Sequence, residues 1–427
     1  MESISFVFSD RATIPGFLGL DVQKEVLEHV AELKPDKVLL VTDVTVDTLY
    51  SDFFTPLAGD ARGETGVAEP WTSSQLSIEK MVLPSGDAAK SWDHLSELIE
   101  WNFRVGATKK SVVVAFGGGA ILNVAGLFAS IAYRGMKVVY VPTTLLAMHD
   151  VVTSLKTSIC FDGRKNNIGT FYAPTKILID VAFCRTLPKN ELFSGLGELA
   201  KNAALLGGVH AEGFKSALTR EAINAGNGGS GEELSYGDDT MLKLVRLGIQ
   251  AKMEVLLVDA YEKQSGMIFE YGHTMSHAIE KAYGDGVIPH GLGVTYGMLA
   301  CSYAAERMGV MSAKARKEHD EVCNLLIHKW PLPHPRPSTK VVMALAMRDS
   351  KRGITSEEEH EISDVLLRGM GDIVPTKTSM LSKFPCSLFA EWLETIIGDS
   401  PEQRILSKEK KEMSAATLML LESYPGA

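Results

Sequence analysis

Three histidines between Phe269 and His290 have the residue type and spacing to bind a metal ion or a phosphate. His273 and His277 are four positions apart, so on a helix both imidazoles leave the same face, one turn apart. His290 follows a Gly-rich turn and a proline. Two surface histidines at helical spacing give the same pattern, so a metal site, a phosphate clamp and a solvated face all stay open. Thr274 occupies the place of the general base in HExxH, which excludes a zinc protease of that kind.

Other charged residues form candidate sites with two interpretations each. Glu198 and Lys201, in SGLGELAKNA, share one face of a predicted helix, either as an exposed ion pair or as a carboxylate metal ligand beside an ammonium group. A polar stretch between the two predicted domains suits a phosphate, although a solvated loop explains it equally well. The charged and amide residues of that stretch are Asp150, Lys156, Lys165 and Asn166.

A glycine triplet follows the apolar run SVVVAF. Gly117, Gly118 and Gly119 open a helical stretch, and a backbone can approach a dinucleotide pyrophosphate at such a helix N-terminus. The triplet is not the full G-x-G-x-x-G, so a plain tight turn fits it as well. Asp87, in the turn PSGD, and Lys90 either contact ribose and nicotinamide or belong to a turn and helix cap.

The elements that must position these residues are strands and helices in alternation, followed by helices alone. Lys37–Thr42, Ser111–Phe116 and Val138–Val141 are short, nearly continuous apolar runs, which predict a parallel sheet covered on both faces. After Asp180 strand-like runs become rare. The helical patterns there are Asn190–Leu206, Thr240–Ala260, His273–Ala282 and Leu292–Met308. We therefore predict an α/β protein, with a Rossmann-like N-terminal domain (1–182) and a mainly α-helical metal-binding domain (183–427).

Composition narrows the class of protein. The chain has 427 residues, a net charge of -10 and no long basic stripe, so nucleic acid is not an expected partner. Its five cysteines are scattered and form no CxxC, and no secretory signal is visible, so we expect a cytoplasmic protein. Ser111–Tyr133 lacks charge, but its glycines and Asn123 favour a strand, a turn and a buried helix over a membrane span. Residues 58–75 are predicted to be a surface insertion.

Six ordered motifs resemble those of the sugar phosphate cyclases, the family of dehydroquinate synthase. They are GGGAILNVAG, VPTTLLAMHDVVTSLK, GRKNNIGTFYAP, SGLGELAKNA, FEYGHTMSHAIE and PHGLGVTYGML, and the resemblance runs from about Lys37 to Gly371. It implies that Glu198, His273 and His290 bind one divalent metal, zinc or cobalt. Two imidazoles and a carboxylate with an open position are also the ligand set of catalytic zinc sites.

The resemblance implies roles for further residues. The substrate phosphate would be bound by Lys156, Asn166, His277 and Lys351, and by Arg134 of a neighbouring subunit, which implies a homodimer. Asp150, Lys201 and Lys252 would contact the sugar hydroxyls. The residues implied in NAD binding are Asp43, Asp87, Lys90, Gly117, Gly118, Gly119, Thr143, Thr144 and Lys165.

Three departures from the dehydroquinate synthase pattern resemble the 2-deoxy-scyllo-inosose synthase branch. Asn123 replaces an aspartate, Glu270 an asparagine, and Gly266 the arginine that holds the substrate carboxylate. The branch implies cyclisation of D-glucose 6-phosphate with loss of phosphate, through transient oxidation, elimination, reduction, ring opening and aldol closure. Glu270 is a candidate to assist the hydroxyls or the aldol step. Dehydroquinate synthase, an NAD- and metal-dependent polyol dehydrogenase and a catalytically inactive scaffold are the alternatives.

Overall fold

The computed structural model of the chain describes most of its length. The described residues are 1–8, 13–58, 76–225, 236–284, 286–349, 358, 360–376 and 380–396. Lys351, most of the predicted insertion at 58–75 and the C-terminal segment from 397 lie outside them. Within the described ranges, no helix combines the length and apolar character that crossing a bilayer requires.

A seven-stranded sheet forms the first half of the molecule. Its strands, in the order in which they lie side by side, are β1 (Glu2–Val7), β2 (Thr13–Gly19), β9 (Lys176–Asp180), β6 (Lys137–Pro142), β5 (Val112–Gly117), β3 (Lys37–Asp43) and β4 (Ser77–Leu83). β1 pairs antiparallel with β2, and every other pair is parallel. β5 is buried along its whole length, as expected for a strand covered on both faces.

Strand order defines the place where this sheet can bind a ligand. From β3 the chain moves outward to β4, but from β5 it moves the other way, to β6. Connections that diverge in this way leave a crevice at the carboxyl ends of the two central strands. Asp43 ends β3 and Gly117 ends β5, so both lie at this switch point.

Helices cover the sheet and build the second half. They are α1 (Gln23–Ala31), α2 (Val44–Tyr50), α3 (Trp92–Arg104), α4 (Gly119–Ile131), α5 (Lys189–Leu206), α6 (Gly208–Ala225), α7 (Asp238–Leu256), α8 (His273–Tyr283), α9 (His290–Arg307), α10 (Ala313–Ile327), α11 (Thr339–Ala346) and α12 (Ser387–Ile396). α9 packs against α5, α8, α10 and α12. It is buried on nearly every side, as the central helix of a bundle must be.

The predicted fold class is confirmed, and so are the three predicted strands and four predicted helices, with ends shifted by a few residues. The prediction that strands are rare after Asp180 missed four short ones. These are β10 (Glu361–Asp364), β11 (Leu367–Gly369), β12 (Asp372–Ile373) and β13 (Ser382–Pro385). They are too short, at two to four residues, to give an alternating pattern.

Most of the polar stretch between the halves is a β-hairpin, and Asp150 lies in a helical turn before it, so the solvated-loop interpretation is wrong. β7 (Lys156–Phe161) pairs with β8 (Arg164–Phe171) across the two-residue turn Asp162–Gly163. Both turn residues have positive φ, 52° and 69°, as in the turns that match the twist of a hairpin. β8 is mostly exposed, which explains its polar sequence.

Candidate active site

Glu198, His273 and His290 converge at the centre of the helical half, and we call them the metal cluster. Glu198 lies within α5, while His273 and His290 are the first residues of α8 and α9. The Nε2 atoms of both histidines are 3.5 Å from Glu198 Oε1. One ligand atom from each residue lies within 4.8 Å of the other two, a separation that one divalent ion can bridge.

Glycines bring α5 and α9 close enough for this arrangement. A Cβ on Gly197 would lie 1.9 Å from the carbonyl oxygen of Gly291, and one on Gly291 would lie 2.2 Å from that of Ser194. The two backbones therefore touch at residues that precede Glu198 and follow His290. A methyl group at either position would separate the helices and the two ligands with them.

In each histidine, a hydrogen bond from Nδ1 fixes the orientation of the imidazole ring. His273 Nδ1 donates to the carbonyl of Tyr271 at 3.2 Å, and His290 Nδ1 donates to Glu280 at 3.0 Å. Ser276 in turn donates to Glu280 at 2.7 Å. Each Nε2 is thereby directed toward Glu198. Such partners orient metal-binding histidines in general.

Charge distinguishes the two histidines in the metal-free protein. Burial and then the nearby Lys201 lower the pKa of His273 to about 3. Burial also disfavours charge on His290, but hydrogen bonds to Glu198 and Glu280 outweigh it and raise its pKa to about 10. Burial alone would raise the pKa of Glu280, but its hydrogen bonds with His290 and Ser276 lower it to about 2. Near neutral pH His290 therefore carries a proton, whereas His273 does not.

Glu198 and Lys201 form a buried ion pair, so the interpretation as an exposed pair is wrong. Each side chain is 2% exposed, and Lys201 Nζ contacts Glu198 Oε2 and donates to the carbonyl of Phe269 at 2.8 Å. Burial alone would raise the pKa of Glu198, but Lys201 and His290 hold it well below its usual range. The carboxylate is thus ionised and ready to bind a cation.

A second ion pair, with a buried lysine and a partly buried carboxylate, lies beside the first. Lys252 Nζ is 3.0 Å from Asp150 Oδ1 and 3.8 Å from the centroid of the Phe269 ring. Asp150 occupies a single π-helical turn, Ala147–Val151, which packs against α5 and α7. Burial would lower the pKa of Lys252, yet Asp150 keeps it raised. Phe269 contributes to this site, and nothing in the sequence indicated it beyond its place near the histidines.

His149 anchors this turn from behind. Its Nε2 donates to the carbonyl of Gly195 at 3.1 Å, and the side chain is completely buried. Burial lowers the pKa of His149 to about 4, so the ring is neutral. The hydrogen bond connects the turn that carries Asp150 to the helix that carries Glu198.

Lys156 lies at the edge of the site and is paired with Glu262, a residue that the sequence did not single out. Lys156 Nζ donates to Glu262 at 2.8 Å, and Ser154 donates to the other carboxylate oxygen at 3.0 Å. Lys156 is 47% exposed, whereas Glu262 is 8% exposed. A buried acid thus holds an accessible ammonium group in place.

The remaining residues implied in phosphate binding lie in different surroundings. The His277 ring centroid is 5.6 Å from that of His273, and its Nδ1 donates to Asp349 at 3.1 Å. Asn166 accepts a hydrogen bond from Lys90, a residue implied in NAD binding, so the phosphate and cofactor sets touch. Arg134 is exposed in the turn after α4.

Most residues implied in NAD binding lie at the carboxyl ends of β3, β5 and β6. Asp87 and Lys90 follow β4, and Lys165 lies on β8. We call this set the cofactor edge. Asp43 Oδ1 accepts from the N–H groups of Thr45 and Val46 and from the hydroxyl of Ser85. The Thr143 N–H donates to Gly117 at 3.0 Å. Asp87 and Lys165 pair at 2.9 Å across the opening.

Gly118 and Thr144 meet where α4 begins. Gly118 caps the N-terminus of α4 without a side-chain hydrogen bond, and a Cβ there would lie 3.0 Å from Thr144. Gly119 is the first residue of α4. The start of a 13-residue helix bordered by glycines fits the pyrophosphate of a dinucleotide.

Two of the three departures noted in the sequence lie in one turn, Ser265–Glu270, which precedes His273. Glu270 is half-buried at the end of the turn Ser265–Glu270, and its charge acts on His273. Gly266, in the same turn, is buried. A Cβ there would lie 3.0 Å from Glu262 and 3.1 Å from Asp259. The third departure, Asn123, donates to the carbonyl of Gly119 at 2.8 Å.

Fold and site together define a class: metal-dependent enzymes in which a parallel sheet with a dinucleotide crevice adjoins a helical half with a two-histidine, one-carboxylate site. The sequence profile of the 3-dehydroquinate synthase N-terminal domain matches residues 80–194, and that of the C-terminal domain matches residues 195–352. The chain belongs to this family, the dehydroquinate synthase-like sugar phosphate cyclases, as predicted.

Relatives with an assigned activity extend over nearly the whole chain. A 2-deoxy-scyllo-inosose synthase of Streptomyces fradiae is 34% identical over 400 residues, which cover 94% of this chain and 86% of that protein. The synthase of Streptomyces kanamyceticus is 32% identical over 388 residues, covering 90% and 92%. A solved 2-deoxy-scyllo-inosose synthase, complexed with carbaglucose-6-phosphate, NAD+ and Co2+, is 25% identical, with a TM-score of 0.75 and coverage of 91% and 98%.

Proposed function

We propose that this protein is an NAD- and metal-dependent sugar phosphate cyclase that converts D-glucose 6-phosphate to 2-deoxy-scyllo-inosose with elimination of phosphate. It is then a carbon–oxygen lyase. The observation that carries the proposal is the metal cluster itself, with two lysine–carboxylate pairs beside it. The activity assigned to the relatives supports the same reaction.

Glu198, His273 and His290 would hold the divalent ion, zinc or cobalt. When bound, the ion would acidify a sugar hydroxyl. NAD would accept a hydride from the carbon that bears this hydroxyl and later return it to the same carbon. The fit rests on the donor set: an ionised, 2%-exposed carboxylate and two imidazoles whose Nε2 atoms both face it.

Lys201, Lys252 and Asp150 would orient the sugar through hydrogen bonds to its hydroxyls. Each lysine is nearly buried and already fixed by a carboxylate, so little side-chain freedom is lost when a substrate binds. Glu270 is the candidate to assist the sugar hydroxyls or the aldol step, since its charge lies close enough to act on His273.

The substrate phosphate would be bound by Lys156, Asn166, His277 and Lys351 and by Arg134 of the partner subunit. Ammonium, amide and imidazole N–H groups are suitable donors to phosphate oxygens. This assignment makes the protein a homodimer with an active site shared between two copies. The exposed position of Arg134 supports it, because the guanidinium is accessible to a second chain.

NAD would lie along the cofactor edge, with its pyrophosphate at the start of α4. Asp43, Asp87, Lys90, Thr143, Thr144 and Lys165 and the three glycines 117–119 would contact it. Under this proposal residues 1–182 form the NAD-binding domain and residues 183–427 the metal and substrate domain. The crevice between the diverging connections of β3 and β5 supports this division.

The decisive experiment supplies purified protein with NAD, Co2+ and candidate sugar phosphates and follows released phosphate together with NADH absorbance. We expect many equivalents of phosphate from glucose 6-phosphate without net NADH, since the cofactor is regenerated in each cycle. One NADH per turnover would instead identify a polyol dehydrogenase. Absence of turnover with every substrate, despite bound metal, would favour the inactive scaffold.

The shared active site has its own test. Arg134→Ala and His290→Ala variants should each be nearly inactive alone, for different reasons. If Arg134 acts across the interface, a mixed dimer contains one intact site, with His290 from one subunit and Arg134 from the other. Mixing the two variants should therefore restore activity. If mixing restores nothing although two differently tagged variants co-purify as hybrids, Arg134 does not act in the neighbouring site.

A further inference from the structure

Asp364 is a completely buried carboxylate at the end of β10. The strand pairs antiparallel with β13, near the C-terminal end of the described residues. This region lies beyond residue 352, where the match to the dehydroquinate synthase profiles ends. No role in the proposed reaction has been given to it so far.

The carboxylate binds the backbone on both sides of the metal ligand His273. Asp364 Oδ1 accepts from the Gly272 N–H at 2.9 Å, and Oδ2 accepts from the Thr274 N–H at 3.3 Å. The Thr274 hydroxyl also donates to the carbonyl of Ser363 at 3.0 Å. Residues 272 and 274 are therefore tied to one strand end, about 90 residues farther along the chain.

The same turn is held from its other side by α9. Gly272 has a φ of 76°, which favours glycine, and a Cβ there would lie 2.8 Å from Met298 N and 2.9 Å from the carbonyl oxygen of Val294. His273 Nδ1 donates to the carbonyl of Tyr271, one residue before this glycine. The path of the backbone through 271–274 thus sets the direction of the imidazole.

We propose that Asp364 is a positioning residue that fixes the metal ligand His273 by holding the first turn of α8. The first N–H groups of a helix have no partner within it, and an ionised oxygen forms a stronger hydrogen bond to them than a neutral one. The inference rests on the proposed function, because it requires that His273 binds a metal.

Asp364→Asn provides the test, since it keeps the side-chain shape but removes the charge and replaces one acceptor oxygen by an NH2 donor. Loss of such an outer hydrogen bond typically weakens metal binding by about 10- to 100-fold. The measurement is the Kd for Co2+ of protein free of NAD and substrate, by competition with a chromogenic chelator. The unfolding free energy of each metal-free protein is measured alongside.

Asp180→Asn is the matched control. Asp364 also accepts from the N–H of Val365 at 2.8 Å, so it has three backbone donors. Asp180 is 3% exposed and likewise accepts from three backbone N–H groups, those of Asp21, Val22 and Ala182, at 2.9 to 3.0 Å. It lies at the end of β9 in the sheet. This variant should lose stability as Asp364→Asn does, but it should bind Co2+ within about twofold of the wild type if positioning is local.

Three results overturn the inference: equal Co2+ affinity in Asp364→Asn and wild type, equal weakening in the control, or a wild type that binds no Co2+. The last result would also refute the proposed function, whereas the first two leave it intact. If Asp364→Asn does not fold, Asp364→Glu replaces it, because it keeps the charge but displaces the carboxylate by one methylene from the Gly272 and Thr274 N–H groups. It should weaken Co2+ binding severalfold, and unchanged binding would count against the proposal.

Discussion

Two polar regions of the molecule, the metal cluster and the cofactor edge, differ in how far water reaches them. Glu198 exposes 2% of its side chain, whereas Asp87 exposes 53% and its partner Lys165 exposes 52%. In the buried region the charges are compensated by neighbours and held by helices in backbone contact. At the cofactor edge, backbone groups at strand ends provide the rigid parts. Asp43 and Lys90 are buried there, but the Asp87–Lys165 pair remains in solvent.

Under the proposed function, the difference follows from what each region would hold. A metal ion tolerates little error in ligand placement, so its ligands lie on rigid, mutually packed elements. A dinucleotide is large and spreads its contacts, so no single exposed pair is critical. Single substitutions should therefore have large effects in the first region and small effects in the second.

The comparison is tested most severely by His290→Ala. Loss of a direct ligand should cost more than the roughly 100-fold that the loss of an outer hydrogen bond can cost, so bound metal and turnover should both nearly vanish. His277→Ala is the control, because this histidine lies beside the cluster but is 43% exposed. It should keep its metal and show a raised KM. Full activity in metal-free protein, checked by elemental analysis, would contradict the assignment.

The preference between two substrates should be the next largest effect. It depends on Gly266, which is buried in the turn Ser265–Glu270. A substrate carboxylate would find no arginine there, and Asp259, Glu262 and Glu270 lie nearby. An unpaired buried charge costs roughly 3–5 kcal/mol, or a factor of about a hundred to several thousand. We therefore expect kcat/KM for glucose 6-phosphate to exceed kcat/KM for the seven-carbon keto acid of dehydroquinate synthase by a factor of that size.

Gly266→Arg sharpens this prediction. A side chain at this position would press on Glu262 and Asp259, so the substitution alone should not create efficient turnover of the keto acid. Phosphate release with each substrate, measured for variant and wild type, decides the matter. Faster release from the keto acid by the wild type would identify a dehydroquinate synthase.

The pH dependence of metal binding should be intermediate in size. The pKa of His290 rises from 6.5 to about 10 in the metal-free fold, so its proton stabilises that fold fully below about pH 6.5 and ceases to do so as pH passes 10. Metal binding must displace this proton. The apparent Co2+ affinity should increase about tenfold per pH unit between pH 7 and 9.

Glu280→Gln is the control for that slope. It removes a carboxylate that raises the pKa of His290, so the dependence on pH should flatten at a lower pH than in the wild type. Proton release can be measured by calorimetry in buffers of different ionisation enthalpy. A wild-type affinity independent of pH from 7 to 9 would show that His290 is already neutral.

Lys165→Ala should have the smallest effect. Because the pair with Asp87 is exposed, its loss should change the free energy of unfolding by no more than about 1 kcal/mol. An exposed ion pair should also contribute no more than about 1 kcal/mol to NAD binding, so the KM for NAD should rise by about tenfold or less. Metal binding should stay unchanged. A loss of metal in this variant would mean that the metal cluster and the cofactor edge are coupled, so they could not be treated as independent regions.

The sequence predicted what depends on local pattern or on ordered motifs. The apolar runs of β3, β5 and β6 needed no tertiary information, because strands buried on both faces are apolar throughout. Glu198 was one of several candidate ligands in the sequence, and only the resemblance joined it to His273 and His290 in one site. Nothing in its i,i+3 spacing distinguished the buried pair with Lys201 from an exposed one.

Other contacts could not be predicted because packing between distant segments creates them. Glu280 reaches His290 across ten residues, and Lys156 reaches Glu262 across 106. Asp364, in a four-residue strand outside the family motifs, carried no signal at all. The hairpin turn Asp162–Gly163 did carry one, but the polar, exposed β8 obscured it.

The sheet order has a consequence for synthesis on the ribosome. β2 completes its parallel pairing only with β9, and Gly16 lies opposite Ile177, about 160 residues later in the chain. At roughly 5–20 residues per second, that partner emerges on the order of ten seconds or more after β2. A two-stranded hairpin is at best marginally stable alone, so β1 and β2 must wait with an open edge until the helical half is about to be made.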